Sequence, residues 1–240
     1  MYEFEYMNKI TEVLEKSYET NKDLIKDLSV KFAENIKTGH VIHTFGTGHS
    51  HMVGIELFAR AGWLGNVDAM LDPDTLTAFG AQRSGAIEKL SGLADIIYDQ
   101  YNIQKGDIMI ITSNSGRNAV PIEMAMRCQK EGIYTVAVTN LEQSKNTTSR
   151  HPSGKRLFEC VDAIIDTAGP TGDSMMTIGS IKTGPASSIT SMFLLNTIVT
   201  EAIKILDAEG IKAPVLQSQN VDGFDNDAIY KAYEGKVKHF

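Results

Sequence analysis

Two short apolar runs each give way to a turn of small hydroxyl-bearing residues, and each turn opens into a helical pattern. The first run, Val41-Ile42, leads into His43-Thr44-Phe45-Gly46-Thr47-Gly48-His49-Ser50. The second leads from Ile108-Met109 through Ile110-Ile111-Thr112-Ser113-Asn114-Ser115-Gly116 to Arg117-Asn118. A strand followed by a crossover helix re-enters its sheet in the same direction, so this alternation demands a mostly parallel sheet covered on both faces. Such turns also gather backbone N–H groups and hydroxyls at one spot. That spot suits an anion, above all a phosphate.

The rest of the chain extends the alternation. Met7, Ile10, Leu14, Tyr18, Ile25, Leu28, Phe32 and Ile36 keep a three-to-four residue spacing, which predicts helix over residues 4 to 36, stopped at Gly39. A break near Thr20-Asn21 would split it in two. From residue 40 the pattern predicts strand (41 to 45), helix (50 to 61), strand (within 64 to 71) and helix (85 to 98). It continues with strand (108 to 112), helix (119 to 131), strands (134 to 139 and 161 to 166) and helix (187 to 208). Residues 140 to 160 and 167 to 186 read as long loops, and long loops in a compact fold carry function or are disordered. The tail from Pro214 has helical character at residues 228 to 237 and is expected to pack on the core or on a neighbouring subunit. The expected fold is one α/β domain, residues 1 to 240. It comprises an N-terminal helical segment (1 to 38), a doubly wound five-stranded core (40 to 209) and a C-terminal tail (210 to 240).

Composition narrows the class. A chain of 240 residues buries enough surface to fold without staples. Its net charge of −7 argues against a non-specific nucleic-acid partner. Cys128 and Cys160 fit no metal spacing and no disulfide framework, which points to a reduced, cytoplasmic setting. No apolar run is read as membrane-spanning, and the acidic start Met1-Tyr2-Glu3-Phe4-Glu5 lacks the basic character of a secretion signal.

In the second turn Ser113, Ser115 and Asn118 offer side chains to a phosphate, and Gly116 permits close backbone approach. Asn118 or Ser115 would also serve as cap of the following helix. Gly46-Thr47-Gly48 begins a dinucleotide fingerprint, but His51 stands where its third glycine would fall. No Walker ending follows.

At these residues the chain resembles the SIS (sugar isomerase) domain family. The family includes phosphoheptose isomerase, arabinose-5-phosphate isomerase, the isomerase domain of glucosamine-6-phosphate synthase and N-acetylmuramic acid 6-phosphate etherase. Phe45-Gly46-Thr47-Gly48-His49-Ser50 with Gly54 looks like its first turn. Gly106-Asp107 followed by Thr112-Ser113-Asn114-Ser115-Gly116 looks like its Ser-x-Ser-Gly signature, and Thr139-Asn140 like the end of its next strand. The resemblance runs through about residues 5 to 209 by element order. It implies a five-stranded parallel sheet with a phosphosugar at the strand ends, and a homodimer or larger assembly with the site at the subunit interface. The candidate binding set is Gly48, Ser50, Ser113, Asn114, Ser115, Gly116 and Asn118.

Isomerisation of a sugar phosphate needs a base that moves a proton between adjacent carbons, and ether elimination needs a similar base. Relatives carry a glutamate ten residues after the turn serine, where this chain has Arg60. Three residues are candidates instead. Glu56 follows the first turn, seven residues from His49 and near the same helix face. Glu201 lies on a helix apolar on nearly every side, so burial and a raised pKa are expected of it. His49 flanks Ser50 and would bind a sugar oxygen or act as an acid. Arg150, His151, Lys155 and Arg156 form a basic cluster that reads as a lid over an anion or as a solvated loop. Asp72, Asp74 and Asp173 match no metal motif, so neither metal nor cofactor is expected. The expected activity is an aldose–ketose or amino-sugar phosphate isomerase. A sugar-phosphate lyase, a non-catalytic phosphosugar sensor and a nicotinamide enzyme are the alternatives.

Overall fold

The computed structural model describes residues 4–240; Met1 to Glu3 of the acidic start lie outside the described residues. Helix α1 (Glu5–Lys37) runs unbroken, with Ile10, Asn21, Ile25, Leu28, Phe32 and Ile36 on its buried side. The expected break at Thr20-Asn21 does not occur. Asn21 stays helical because its amide is satisfied, donating to the carbonyls of Ser17 (2.6 Å) and Asp166 (2.7 Å) and accepting from Asp166 N–H (2.9 Å).

The chain then passes through β1 (Ile42–Gly46), α2 (His51–Leu57), β2 (Val67–Met70), α3 (Ala81–Ile87) and α4 (Leu93–Tyr98). It continues through β3 (Ile108–Thr112), α5 (Ala119–Glu131), β4 (Tyr134–Thr139), α6 (Leu141–Lys145) and β5 (Ala163–Asp166). A hairpin of β6 (Met176–Ile178) and β7 (Ile181–Thr183) precedes α7 (Ser187–Ala208) and α8 (Asp227–Tyr233). The helix expected over 85 to 98 is two short helices, because Gly92, in the left-handed region at φ 89°, starts the second. The two long segments expected as loops hold α6 and the hairpin.

All five core strands are parallel, in the order β2-β1-β3-β4-β5. The chain winds one way from β1 to β2 and the other way from β3 onward, so the order reverses between β1 and β3. That reversal opens a crevice beyond the carboxyl ends of those two strands.

Alternate strand residues feed two cores. Ile42, Ile108, Ile110, Val136 and Val138 pack under α1, α2 and α7; Phe45, Met109, Ile111 and Ala137 pack under α4 and α5. Each of these Ile, Val, Phe and Met side chains contributes roughly 1.5–3 kcal/mol by leaving water. Among the described residues, α7 is long and apolar enough by composition to cross a membrane, a correction to the expectation that no run is. Its Leu194, Leu195, Ile198, Val199, Ala202 and Leu206 are buried in the first of these cores, and Ser29 of α1 donates to the Ile198 carbonyl at 3.1 Å. The tail closes on its own chain: Tyr233 and Val237 bury against Val41, and Phe240 stacks on Phe58.

Candidate active site

Both turns lie at the carboxyl ends of β1 and β3, where Gly46 is in register with Thr112. The first turn doubles back so tightly that a Cβ on Gly46 would stand 2.7 Å from the Ser50 carbonyl oxygen. Gly48 takes φ 58° and donates its N–H to the Thr75 carbonyl at 2.9 Å, while the His51 ring sits on the Gly48 carbonyl. Gly54 supplies the close helix–strand approach that a dinucleotide fingerprint assigns to its third glycine. A Cβ there would meet Thr44 Oγ1 at 2.7 Å.

The second turn is held by Ser113, whose Oγ accepts Gly116 N–H at 3.3 Å. Gly116 has φ 58°, and a Cβ on it would meet Ser144 Oγ at 2.8 Å and Thr139 Oγ1 at 3.2 Å, so both conformation and space require glycine. Asn118 does not cap α5 with its side chain. Its Nδ2 donates to Glu88 Oε1 (2.7 Å) and its Oδ1 accepts from Arg150 Nη1 (3.0 Å). The other Glu88 oxygen, Oε2, accepts from Thr47 Oγ1 at 2.7 Å. One half-buried carboxylate thus ties the first turn to the second. Glu88 has no local mark in the sequence: it lies 41 residues from Thr47 and 30 from Asn118.

A third wall comes from α7. Ser50, Val53, Thr112, Asn114, Ser187, Ser188 and Ser191 line one cavity of about 10 Å³, room for a single oxygen-sized group. The bulk of any ligand therefore lies across its mouth. Among the described residues, the hydroxyls of Ser50, Ser115, Ser188 and Thr112 and the ring of His49 enter no hydrogen bond. The Ser- and Thr-rich entry to α7 is visible in the sequence; that its serines face Ser50 is a product of the topology.

The remaining candidates sit elsewhere or are occupied. Glu56 is held by Arg60 at 2.9 Å. Glu201 is paired with Lys204 at 2.6 Å with its side chain 44% exposed, so the expected burial does not occur. It also lies about 20 Å along α7 from Ser187, at about 1.5 Å per residue. The basic loop is neither free lid nor solvated coil. Arg117 donates to the Thr148 carbonyl and hydroxyl (2.9 and 3.0 Å), Leu157 N–H to the Gly116 carbonyl (2.8 Å), and His151 Nε2 lies 3.2 Å from Glu123. Of that cluster, Arg150 reaches the turn. Asp74 pairs with Arg83, and Asp173 accepts from the start of α7. Among the described residues no His, Cys, Asp and Glu group is arranged to hold a metal ion.

A larger cavity, about 760 Å³, opens at the opposite end of the sheet between Lys31, Glu34, His40 and Asp107. Its buried polar residues are already satisfied. Asp107 accepts from Val41 N–H (2.9 Å) and Gln104 N–H (2.7 Å), and Asn35 donates to the Val41 and Gly106 carbonyls. Size alone does not make it the site.

Residues 5–140 match the family model described as SIS domain. The chain is 34% identical over 236 residues to a UPF0309 protein of Halalkalibacterium halodurans, covering 97% of this chain and 94% of that one. It is 35% identical over 223 residues to a UPF0309 protein of Geobacillus thermodenitrificans, covering 92% and 90%. Among solved structures, the C-terminal domain of glucosamine-fructose-6-phosphate aminotransferase from Francisella tularensis superposes with a TM-score of 0.50 at 15% identity. That match covers 95% of this chain and 52% of that one, and it speaks to the fold. By the extent of the family match and the full-length relatives, the chain belongs to the SIS domain family.

Proposed function

We propose that the protein binds a phosphorylated sugar between the two turns and isomerises it by proton transfer. The observation that carries this reading is the Glu88 bridge. Two turns rich in N–H and hydroxyl donors are locked together by one carboxylate, beside hydroxyls that nothing among the described residues engages. In this reading the phosphate lies on the second turn, against the Ser113 and Ser115 hydroxyls and the N–H groups around Asn114 and Gly116. Gly48, Ser50 and His49 hold the sugar from the first turn. Asn118 acts indirectly, because both ends of its amide are already bonded; it passes the Arg150 contact on to Glu88.

Glu88 is the carboxylate best placed to carry the proton between adjacent carbons. It is held from both sides, as a positioned base requires, whereas Glu56 is tied to Arg60 and Glu201 is remote. The same arrangement serves an ether-eliminating lyase, since both reactions begin with removal of a proton beside a carbonyl. Arg60, standing where relatives place a glutamate, favours a second reading in which the chain binds a phosphosugar without transforming it.

Incubation with sugar phosphates in deuterated water separates these readings. Label appearing at carbon and lost in Glu88→Gln supports catalysis. Tight binding without label supports a sensor. Failure of every sugar phosphate to bind in calorimetry, or undiminished binding by a Ser50→Ala/Ser115→Ala variant, rejects the site.

A further inference from the structure

Between Met70, at the end of β2, and Ala94, in α4, lies a stretch that the cores do not hold. Among the described residues, no side chain from Pro73 to Ser91 belongs to a hydrophobic cluster. Its buried members, Thr75 and Ser84, are both polar. They satisfy one another within the stretch, Ser84 Oγ donating to the Thr75 carbonyl at 2.7 Å. The apolar side chains of Phe79 and Leu90 stand in solvent. A segment with polar ties and no apolar burial opens at a fraction of the free energy that unfolds the whole chain.

The ties that do hold the stretch end on the two turns. From the first turn, Gly48 N–H donates to the Thr75 carbonyl (2.9 Å) and Thr47 Oγ1 to Glu88 Oε2 (2.7 Å). From the second, Asn118 Nδ2 donates to Glu88 Oε1 (2.7 Å), and Val120 N–H, in the first turn of α5, donates to the Glu88 carbonyl (3.2 Å). Among the described residues no other hydrogen bond or ion pair leaves residues 73 to 91; Arg83 pairs with Asp74 inside them, at 2.7 Å. Glu88 thus takes every one of these bonds except that from Gly48. The stretch rejoins the core at Gly92, whose φ of 89° marks a hinge and whose N–H is held by Glu123 at 2.7 Å.

We propose that residues 73 to 91 form a flap latched by Glu88, which opens as one unit while the rest of the fold stays closed, and that a ligand spanning the two turns holds it shut. Thr47 and Asn118 belong to different turns, so the shut flap fixes the turns relative to each other. A ligand reaching from one turn to the other does the same. Each stabilises the arrangement that the other needs, and that coupling is reciprocal. Opening carries Glu88 away from the turns, so the carboxylate is in place only while the flap is shut. The coupling to ligand rests on the phosphosugar reading above; the latch itself rests on the geometry alone.

The test is amide hydrogen exchange, read by mass spectrometry on the full chain, with fructose 6-phosphate as the probe. In the free protein the helical amides of α3, including Ser84 and Glu88, are expected to exchange together and at least about tenfold faster than those of α5. Glu88→Ala removes the side-chain latch. It is expected to speed α3 exchange by about a further tenfold while α5 and β3 keep their native rates. Saturating fructose 6-phosphate is expected to slow α3 exchange in the native protein and to slow it less in Glu88→Ala. Exchange in α3 as slow as in α5 overturns the proposal from the native protein alone, so the test does not depend on how well the variant folds. So does α3 exchange that Glu88→Ala leaves unchanged, or that fructose 6-phosphate, seen to bind by calorimetry, leaves unchanged. If no sugar phosphate binds in calorimetry, the phosphosugar reading falls and the coupling with it, whereas the latch is still decided by the free protein and Glu88→Ala.

Discussion

The two ends of β1 and β3 use the same kinds of polar residue in opposite ways. At the amino end, His43 is fully buried, with Nε2 3.2 Å from Asp107 and Nδ1 3.3 Å from Asp68. Asp107 also takes two backbone N–H groups, Asn66 donates to Asn35, and Asp68 accepts Lys238 N–H at 3.2 Å. At the carboxyl end, the hydroxyls of Ser50, Thr112, Ser115 and Ser188 find no such partners among the described residues. His43 Nδ1 and Asp68 Oδ2 meet as an ion pair rather than a hydrogen bond, and Asn66 Oδ1 makes no hydrogen bond among the described residues. Yet this charge-paired cluster is sealed in the interior and holds the fold together, whereas convergent hydroxyls that line a cavity await a ligand. The strands are therefore closed at one end and open at the other.

The largest expected effect breaks this comparison at its closed end. Removing one member of a buried, charged cluster strands the others, at a cost of about 3–5 kcal/mol. Asp107→Ala should show that loss in urea unfolding, while Ser50→Ala/Ser115→Ala should stay within about 0.5 kcal/mol of the native chain and yet lose the ligand. Equal destabilisation by the two variants would erase the distinction between the ends. Titration gives the same region a signature. Burial would lower the His43 pKa, but the carboxylates of Asp107 and Asp68 outweigh it and raise it. Burial would raise the Asp107 pKa, but His43 and the N–H groups of Val41 and Gln104 outweigh it and lower it. The His43 contribution is therefore complete below its unfolded value and lost as pH rises through its folded one. The Asp107 contribution is present above its unfolded value and lost as pH falls through its folded one. Melting temperature should fall on the alkaline side, and His43→Gln should flatten that fall.

The next effect sharpens the open end. If Glu88 carries the proton, Glu88→Gln should slow exchange into deuterated water by about 10²–10⁴-fold while ligand affinity changes little, because the amide still bridges Thr47 and Asn118. A variant that instead loses binding would show Glu88 to be a brace for the turns only. Smaller again is the demand for glycine. Gly116→Ala should cost about 1–3 kcal/mol, since its Cβ would press on Ser144 and Thr139 at φ 58°. At part-exposed Gly85, where an added Cβ would meet nothing within 4 Å among the described residues, the same change should be neutral or mildly stabilising by up to about 1 kcal/mol.

The open end was the more legible of the two from sequence. Turn chemistry is local, so the glycines and hydroxyls of residues 46 to 50 and 113 to 118 declare themselves beside their apolar strands, and β3, α5, β4 and α7 take the spans expected. The closed end joins residues 43, 68 and 107, which nothing along the chain relates, although His43 falls in the strand expected over 41 to 45 and lies inside β1. Glu88 escaped for the same reason. The break expected at Thr20-Asn21 rested on propensity, which a satisfied amide overrides. Asn118 reads as a helix cap and a phosphate ligand, but its partners are Glu88, just past the end of α3, and Arg150, in a loop 32 residues downstream.

Glu201 makes the smallest prediction and the most exacting one. Its helix is apolar on most sides, and that pattern alone marks a carboxylate within it as buried and reactive. The fold instead turns Glu201 to the rim, paired with Lys204 at 2.6 Å and half exposed, while Leu194, Ile198 and Ala202 fill the core. An exposed pair of this kind contributes about 0–1 kcal/mol, reduced further by salt. Glu201→Gln should therefore leave urea stability within about 0.5 kcal/mol and leave proton exchange at its native rate. A drop in exchange of the size expected for Glu88→Gln would mean that the reacting carbons lie far down α7 rather than at its start. The open end of the strands would then no longer be where the chemistry happens.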